Sequence, residues 1–408
     1  MVSTFWAIVL RYLKKLWVRI VLISALAVVA VLVAAPLGRF IPPALTDRLG
    51  QDAVLPVLTI LASTMLAVTT FSLNVMVSAY RAASSQATPR AYRILLADTT
   101  TQNVLATFVG AFIFSLSAIL MFRADLYDPA ASVTVFGFTV GIVAMIILAI
   151  LRWIEHLSLL GSMDHTMNVV GATARQSLEA RRTRPCMGGV PEGPSVRPPA
   201  DAAPVLARRT GYLQLVDMPR LQARLAQAEG RIWLVHVPGD HVLADTPVAF
   251  VQLPEDSDPA PYAGFFTLGT ERTFEQDARY GLTVLSEIGQ RAMSPGVNDP
   301  GTAIEALARL EGLLWQFGRP RDVAMPAPRF DRVHVPEIIA DQLFDAAFAP
   351  IARDGAGCIE VAQRLIFALD RLGSRGAPGW QAATQRLAAY PKDHAQAALA
   401  LDSDKARL

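Results

Sequence analysis

Cysteine is nearly absent: 408 residues hold only Cys186 and Cys358. Two such cysteines build neither a disulfide framework nor a metal site by themselves, and their scarcity suits a reducing compartment for the region that holds them. Histidine is also scarce, six in the chain, which leaves little material for acid–base chemistry. There is no phosphate-binding loop with Gly-Lys-Ser/Thr, no nucleophile elbow, no HExxH and no dinucleotide fingerprint. The reading is of a protein that is not an enzyme and calls for no cofactor. An excess of charge is lacking too. Lys and Arg number 37 against 35 Asp and Glu, a formal charge of +2, which argues for no polyanionic partner and against nucleic acid.

What the chain does have is apolar length. Four stretches, Leu16–Leu37, Val54–Val77, Val104–Phe122 and Val133–Trp153, are followed by some 250 mostly soluble residues. Each is close to the ~20 residues that carry a helix across a bilayer core. The charged residues Arg19 and Arg152 lie at their ends, where they can snorkel. No small-residue cleavage pattern follows the first stretch, so it reads as a retained helix. Basic residues mark alternate sides. Arg11, Lys14, Lys15 and Arg19 precede the first span; Arg81, Arg90 and Arg93 lie between the second and third; Arg152, Arg175, Arg181, Arg182 and Arg184 follow the fourth. The positive-inside rule then places both termini in the cytoplasm.

The spacing divides the chain into a cytoplasmic N-terminal segment (1–15), a four-helix membrane domain (16–160) and a helical stalk continuing the fourth helix (161–184). A Pro/Gly-rich stretch at 185–208 reads as an exposed linker. A small β-rich module follows at 209–255, with strands expected at Gly211–Val216, Ile232–Val237 and Val248–Leu253 and a short helix at Pro219–Glu229. A helical domain spans 270–372, with helices expected at Thr273–Met293, Pro300–Phe317, Val335–Ile351 and Gly357–Leu372. A polar, Ala-rich tail (373–408) holds a weak helix at Trp380–Tyr390.

The second span carries the pattern with most to say. Thr59, Ser63, Ala67, Thr70, Asn74 and Ser78 recur at helical steps, and Arg81 continues them to the cytoplasmic end. Hydrocarbon cannot satisfy an Asn amide, so this stripe must meet water or another helix. It fits a helix lining an aqueous path in an oligomer; taken alone, it fits a packing seam better. Ala106 and Gly110 in the third span, and Gly137 and Gly141 in the fourth, are small-residue pairs that let helices approach closely. Glu155 and His156 sit at the interfacial end of the fourth span with no second metal ligand at useful spacing, so no metal site is read there.

In the soluble part, Ala292 to Ala303 forms a helix–turn–helix elbow. Pro295-Gly296 breaks one helix, Asp299 suits the N-cap and Pro300 the first turn of the next. Ser294 and Asn298 complete it, and its free amides could serve a ligand; structure is the favoured role.

This elbow resembles the hallmark of a bacterial family of predicted membrane proteins, domain of unknown function 2254. Further likeness runs through Pro89-Arg90, Leu95-Leu96, Asp98, Gln102 and Thr107-Phe108-Val109-Gly110, then Gly211-Tyr212-Leu213-Gln214 and Pro238-Gly239-Asp240, up to about Leu372. The resemblance implies four N-terminal spans and no particular activity. The β module is similar in pattern to barrel-sandwich domains but lacks the exposed Lys that carries biotin or lipoate there.

Together these readings describe a mainly α membrane protein: four transmembrane helices, then a cytoplasmic α+β region with a small barrel-sandwich-like module and a helical domain. The expected function is an oligomeric pore or channel-like ion transport protein in contact with the lipid bilayer. Thr59, Ser63, Thr70, Asn74 and Ser78 would line it, and Arg81, Arg90 and Arg93 would sit at its inner mouth. The alternative is a non-transporting scaffold or sensor whose cytoplasmic domain binds a protein or small ligand. A membrane enzyme built on Glu155, His156 or Asp164 is a third reading.

Overall fold

The computed structural model describes residues 51–408 apart from 97, 98, 128, 160, 194, 196, 256, 320–326 and 375–377, together with scattered positions between 18 and 36. The expected first span and the basic N-terminal flank thus lie almost wholly outside the described residues. The chain divides into two compact units. One takes Tyr92–His165 with residues up to Ser85; the other takes Gln86–Ala91 and Thr166–Leu408.

In the first unit, α1 (Gln51–Gln86), α3 (Thr99–Arg123) and α4 (Pro129–Leu159) follow the apolar runs; the short α2 (Pro89–Leu96) lies between the first two. Three described helices are long and apolar enough to cross a membrane: Asp52–Ala82, Thr100–Arg123 and Ala131–Leu157. The third-span helix α3 is the core of the unit. Ala106, Phe108 and Phe114 are fully buried in it, and Phe114, Ala118 and Phe122 pack with Val54, Leu58 and Val135 from its neighbours. Large apolar side chains such as Ile60, Phe71, Leu120, Leu148 and Ile154 point outward, as a lipid-facing surface requires. The two small-residue pairs part company. Ala106 and Gly110 are buried, whereas Gly137 and Gly141 face outward and a Cβ added at either would meet nothing within 4 Å. The second pair therefore mediates no close approach among the described residues.

The stalk is a separate helix, α5 (Met163–Thr183), not a continuation of α4. Gly161, with φ +85, makes the break, a left-handed conformation that glycine adopts without strain. Thr166, Met167, Val170, Ala174, Leu178 and Arg181 form the buried face of α5. An added Cβ at Gly281 would stand 2.3 Å from the Ala174 side chain, so α5 is held closely in the second unit.

The stretch expected as a linker is folded. β1 (Gly189–Pro191) and β2 (Ala203–Leu206) both lie in it. Their partners are distant: β1 pairs in parallel with β8 (Phe330–Val335), and β2 antiparallel with β6 (Pro247–Gln252). A Cβ at Gly189 would fall 2.5 Å from the Val333 carbonyl, so the glycine there permits strand approach. With β4 (Arg231–Leu234) these strands form a five-stranded sheet of order β1-β8-β4-β6-β2. A three-stranded sheet takes β5 (His241–Val242), β3 (Gly211–Val216) and β7 (Phe266–Gly269). One core serves both sheets and the helix α6 (Met218–Gln227), built on Val205, Leu213, Leu221, Ile232, Val248, Leu268 and Val333. The β-bearing region therefore runs from 189 to 335, well past the expected 209–255, because β7 and β8 return from later sequence.

The helical region holds α7 (Tyr280–Ala292), α8 (Pro300–Phe317), α9 (Ala340–Asp354), α10 (Ile359–Gly373) and α11 (Pro378–Ala398). Two expectations are corrected. Residues 335–339 are strand end and loop, not helix, and α7 starts seven residues later than expected. The tail is anchored: Trp380, Leu387, Ala395 and Leu399 are buried, with Trp380 4.8 Å edge-on from Phe344 and 6.2 Å from Phe317.

Candidate functional site

The second-span stripe keeps its integrity on α1. At 100° per residue the buried side chains Val54, Leu58, Met65, Ser72 and Met76 share one side of the helix, and the stripe centres roughly 160° round from them. Thr59, Ser63, Ala67, Thr70, Asn74, Ser78 and Arg81 are all exposed. The helix thus buries a mostly apolar ridge and turns its most polar face outward, the reverse of what hydrocarbon selects. The hydroxyls donate back to their own helix: Thr59 to the Leu55 carbonyl at 2.9 Å, Ser63 to Ile60 at 3.0 Å, Thr70 to Leu66 at 3.0 Å. That bonding satisfies them without water. Asn74 has no such recourse; no hydrogen bond among the described residues meets its amide.

The expected inner-mouth arginines are not equivalent. Arg90 Nη1 donates to Glu287 Oε1 at 2.5 Å, and the Thr88 hydroxyl donates to Glu287 Oε2 at 3.2 Å. Ala87, Thr88 and Ala91 are buried, so the segment Gln86–Ala91 is docked on α7. Arg81 and Arg93 are exposed. The sequence reading missed Glu287; its only local signal is that it is the one acid of α7.

His156 is buried, and its Nε2 lies 3.1 Å from the Thr101 hydroxyl, with the His165 ring 5.9 Å away. Glu155 is exposed. Among the described residues no cluster of three or more His, Cys, Asp or Glu could hold a metal ion. In the elbow, Asp299 caps α8 by accepting from the Thr302 amide at 3.1 Å and its hydroxyl at 2.6 Å. These bonds hold the Asp299 carboxyl below its ordinary range. Pro300 is in the first turn, and the Asp299 amide donates to the Ala292 carbonyl at 2.8 Å. Asn298 takes φ +49, a conformation Asn tolerates. Ser294 donates to the Arg291 carbonyl, while Pro295 and Gly296 are exposed. The elbow residues are thus largely spent on one another.

A family model described as "Predicted membrane protein (DUF2254)" matches residues 14–371. The chain belongs to this family. The chain is also similar to mycobacterial proteins: an uncharacterized protein of Mycobacterium bovis is 30% identical over 287 residues, covering 65% of this chain and 53% of that protein. An uncharacterized protein of Mycobacterium tuberculosis shows the same identity and coverage. The chain spans about half the length of these curated relatives. No solved structure matches it. As a DUF2254 member with several apolar helices, the protein is a membrane protein.

The second unit brings together another group that the sequence scattered. Asp277 is almost fully buried. It accepts from Arg272 at 2.7 Å and from the Arg279 and Tyr280 amides at 3.0 and 3.1 Å. Arg279 also donates to Asp240 at 2.6 Å. Gly239, with φ +103, lies so near that an added Cβ would be 2.2 Å from Asp277 Oδ2. The Pro238-Gly239-Asp240 turn is thereby clamped to the start of α7. Burial raises the Asp277 carboxyl despite its two arginines. For Asp240, burial pushes upward, but His236, Arg279 and the Val237 amide outweigh it and hold the carboxyl at about 2.

Proposed function

We propose that this chain forms an oligomeric, channel-like ion pathway in a bacterial plasma membrane, with both termini and the 166–408 unit on the cytoplasmic side. The observation that carries this reading is the outward-facing stripe of α1. A polar face that the protomer leaves uncovered is covered by water or by another copy, and either requires assembly. The docked segment Gln86–Ala91 supports the orientation, since it sits between the second and third spans and belongs to the soluble unit. It also offers a route by which that unit could gate the pathway. Arg90 is charge-paired with Glu287, so it contributes less to any preference for anions or acidic lipid heads at the inner mouth. No catalytic step is part of this proposal.

The self-bonded hydroxyls of Thr59, Ser63 and Thr70 favour a second reading, a scaffold or sensor in which the stripe is a dry seam between copies. Ion flux into liposomes, with potassium, sodium and chloride compared against empty vesicles, separates the two. A path predicts flux that is abolished by Asn74→Leu with Thr70→Leu while the oligomer persists. It also predicts that Cys at position 74 reacts with aqueous thiol reagents. Unchanged flux in the double variant, or an unreactive Cys, removes the pore assignment and leaves the seam.

A further inference from the structure

Arg181 is buried near the C-terminal end of α5, 8% exposed. Its guanidinium makes one long contact, Nη2 to the Gln276 carbonyl at 3.5 Å, and no carboxylate pairs with it among the described residues. A charge buried without a counter-charge is costly. Its neighbours do not supply one. The Cys186 thiol is pushed up to about 11, chiefly by burial, so it is protonated and neutral near pH 7. Asp277, the carboxylate whose field Arg181 feels, is already held by Arg272 and lies 4.0 Å from Arg279.

Arg181 lines a cavity of about 780 Å³, within the range of small-molecule sites. Apolar surface comes from Pro185, Phe317, Ile338 and Ile339. The other cation, Arg386, is neutralised by Asp341 at 3.1 Å and Asp345 at 2.7 Å. Glu337 adds a negative charge to the lining, which disfavours highly charged anions.

We propose that this cavity binds an organic oxyanion of low charge, a carboxylate or phosphate monoester on an apolar body, with the oxyanion on Arg181 and the body against Phe317, Ile338 and Ile339. Guanidinium and oxyanion match as a charge-assisted pair, and the ligand supplies the counter-charge that the fold withholds. The site lies in the soluble unit and does not depend on the pore assignment.

Ligand-observed NMR on the full chain in lipid nanodiscs tests it, with phenylacetate, phenyl phosphate, inorganic phosphate and benzyl alcohol as probes. The two aromatic anions should bind saturably and at least about tenfold more tightly than benzyl alcohol. Arg181→Gln should weaken both about tenfold or more. Ala382→Trp, at an exposed position in the cavity lining, should do the same by filling the entrance, and does so without touching the buried arginine. No saturable binding, equal binding of benzyl alcohol, or unchanged binding in both variants would overturn the site. Inorganic phosphate binding as tightly as phenyl phosphate would overturn its apolar half.

Discussion

Asp240 shows how much a single side chain depends on residues far along the chain. Its turn was legible, because Pro-Gly-Asp between two apolar runs is a turn signal. Its partners were not: Arg279 is 39 residues away and fixes Asp240 only once α7 is in place. The carboxyl is held at about 2 against an ordinary 3.8. A depressed acid contributes its stability above the unfolded value and loses it as pH falls. Thermal unfolding of the full chain should therefore show a loss of up to roughly 2 kcal/mol between pH 4 and 2. Asp240→Asn should remove that component and be less stable at pH 7 by a similar amount. An acid transition of the same size in the variant would assign it to another group. Asn74 was legible for the opposite reason, since its cost in hydrocarbon follows from the side chain alone.

Among the elements, α8 was read with its boundaries because it carries its own punctuation, Asp299 at the cap and Pro300 behind it. β3 was likewise read residue for residue from a short apolar run between turns. The linker strands β1 and β2 were not, since three- and four-residue strands rich in Pro have no periodicity to detect. α11 was underrated because an Ala-rich, polar helix has a weak apolar face; it is long because it packs on α9 and α10. Trp380→Ala should accordingly cost roughly 3–5 kcal/mol, the range for a buried large aromatic, read by chemical denaturation. A loss under about 1 kcal/mol would mean that the tail is dispensable after all.

For the molecule as a whole, the bond between Arg90 and Glu287 ties a short segment between two apolar helices to the unit of residues 166–408. The pair is partly exposed, with Arg90 52% accessible, so its own contribution is small. Glu287→Arg should raise amide exchange in residues 86–91 by roughly up to fivefold, and adding Arg90→Glu should restore protection. Exchange that ignores both changes would mean that the buried Ala87 and Ala91 hold the segment without the pair. Under the proposed gating by the unit of residues 166–408, the same single change alters flux and the double change returns it.

Membership of the membrane class and the polar stripe of the second span are one-dimensional facts. Apolar length and helical period are properties of consecutive residues, and the bilayer or the helix reads them in order. The five-stranded sheet, the Asp277 clamp, the docked 86–91 segment and the cavity around Arg181 are made by residues tens to hundreds apart. Such contacts form only when burial and close packing choose among many partners of equal local merit, so no run of neighbours announces them.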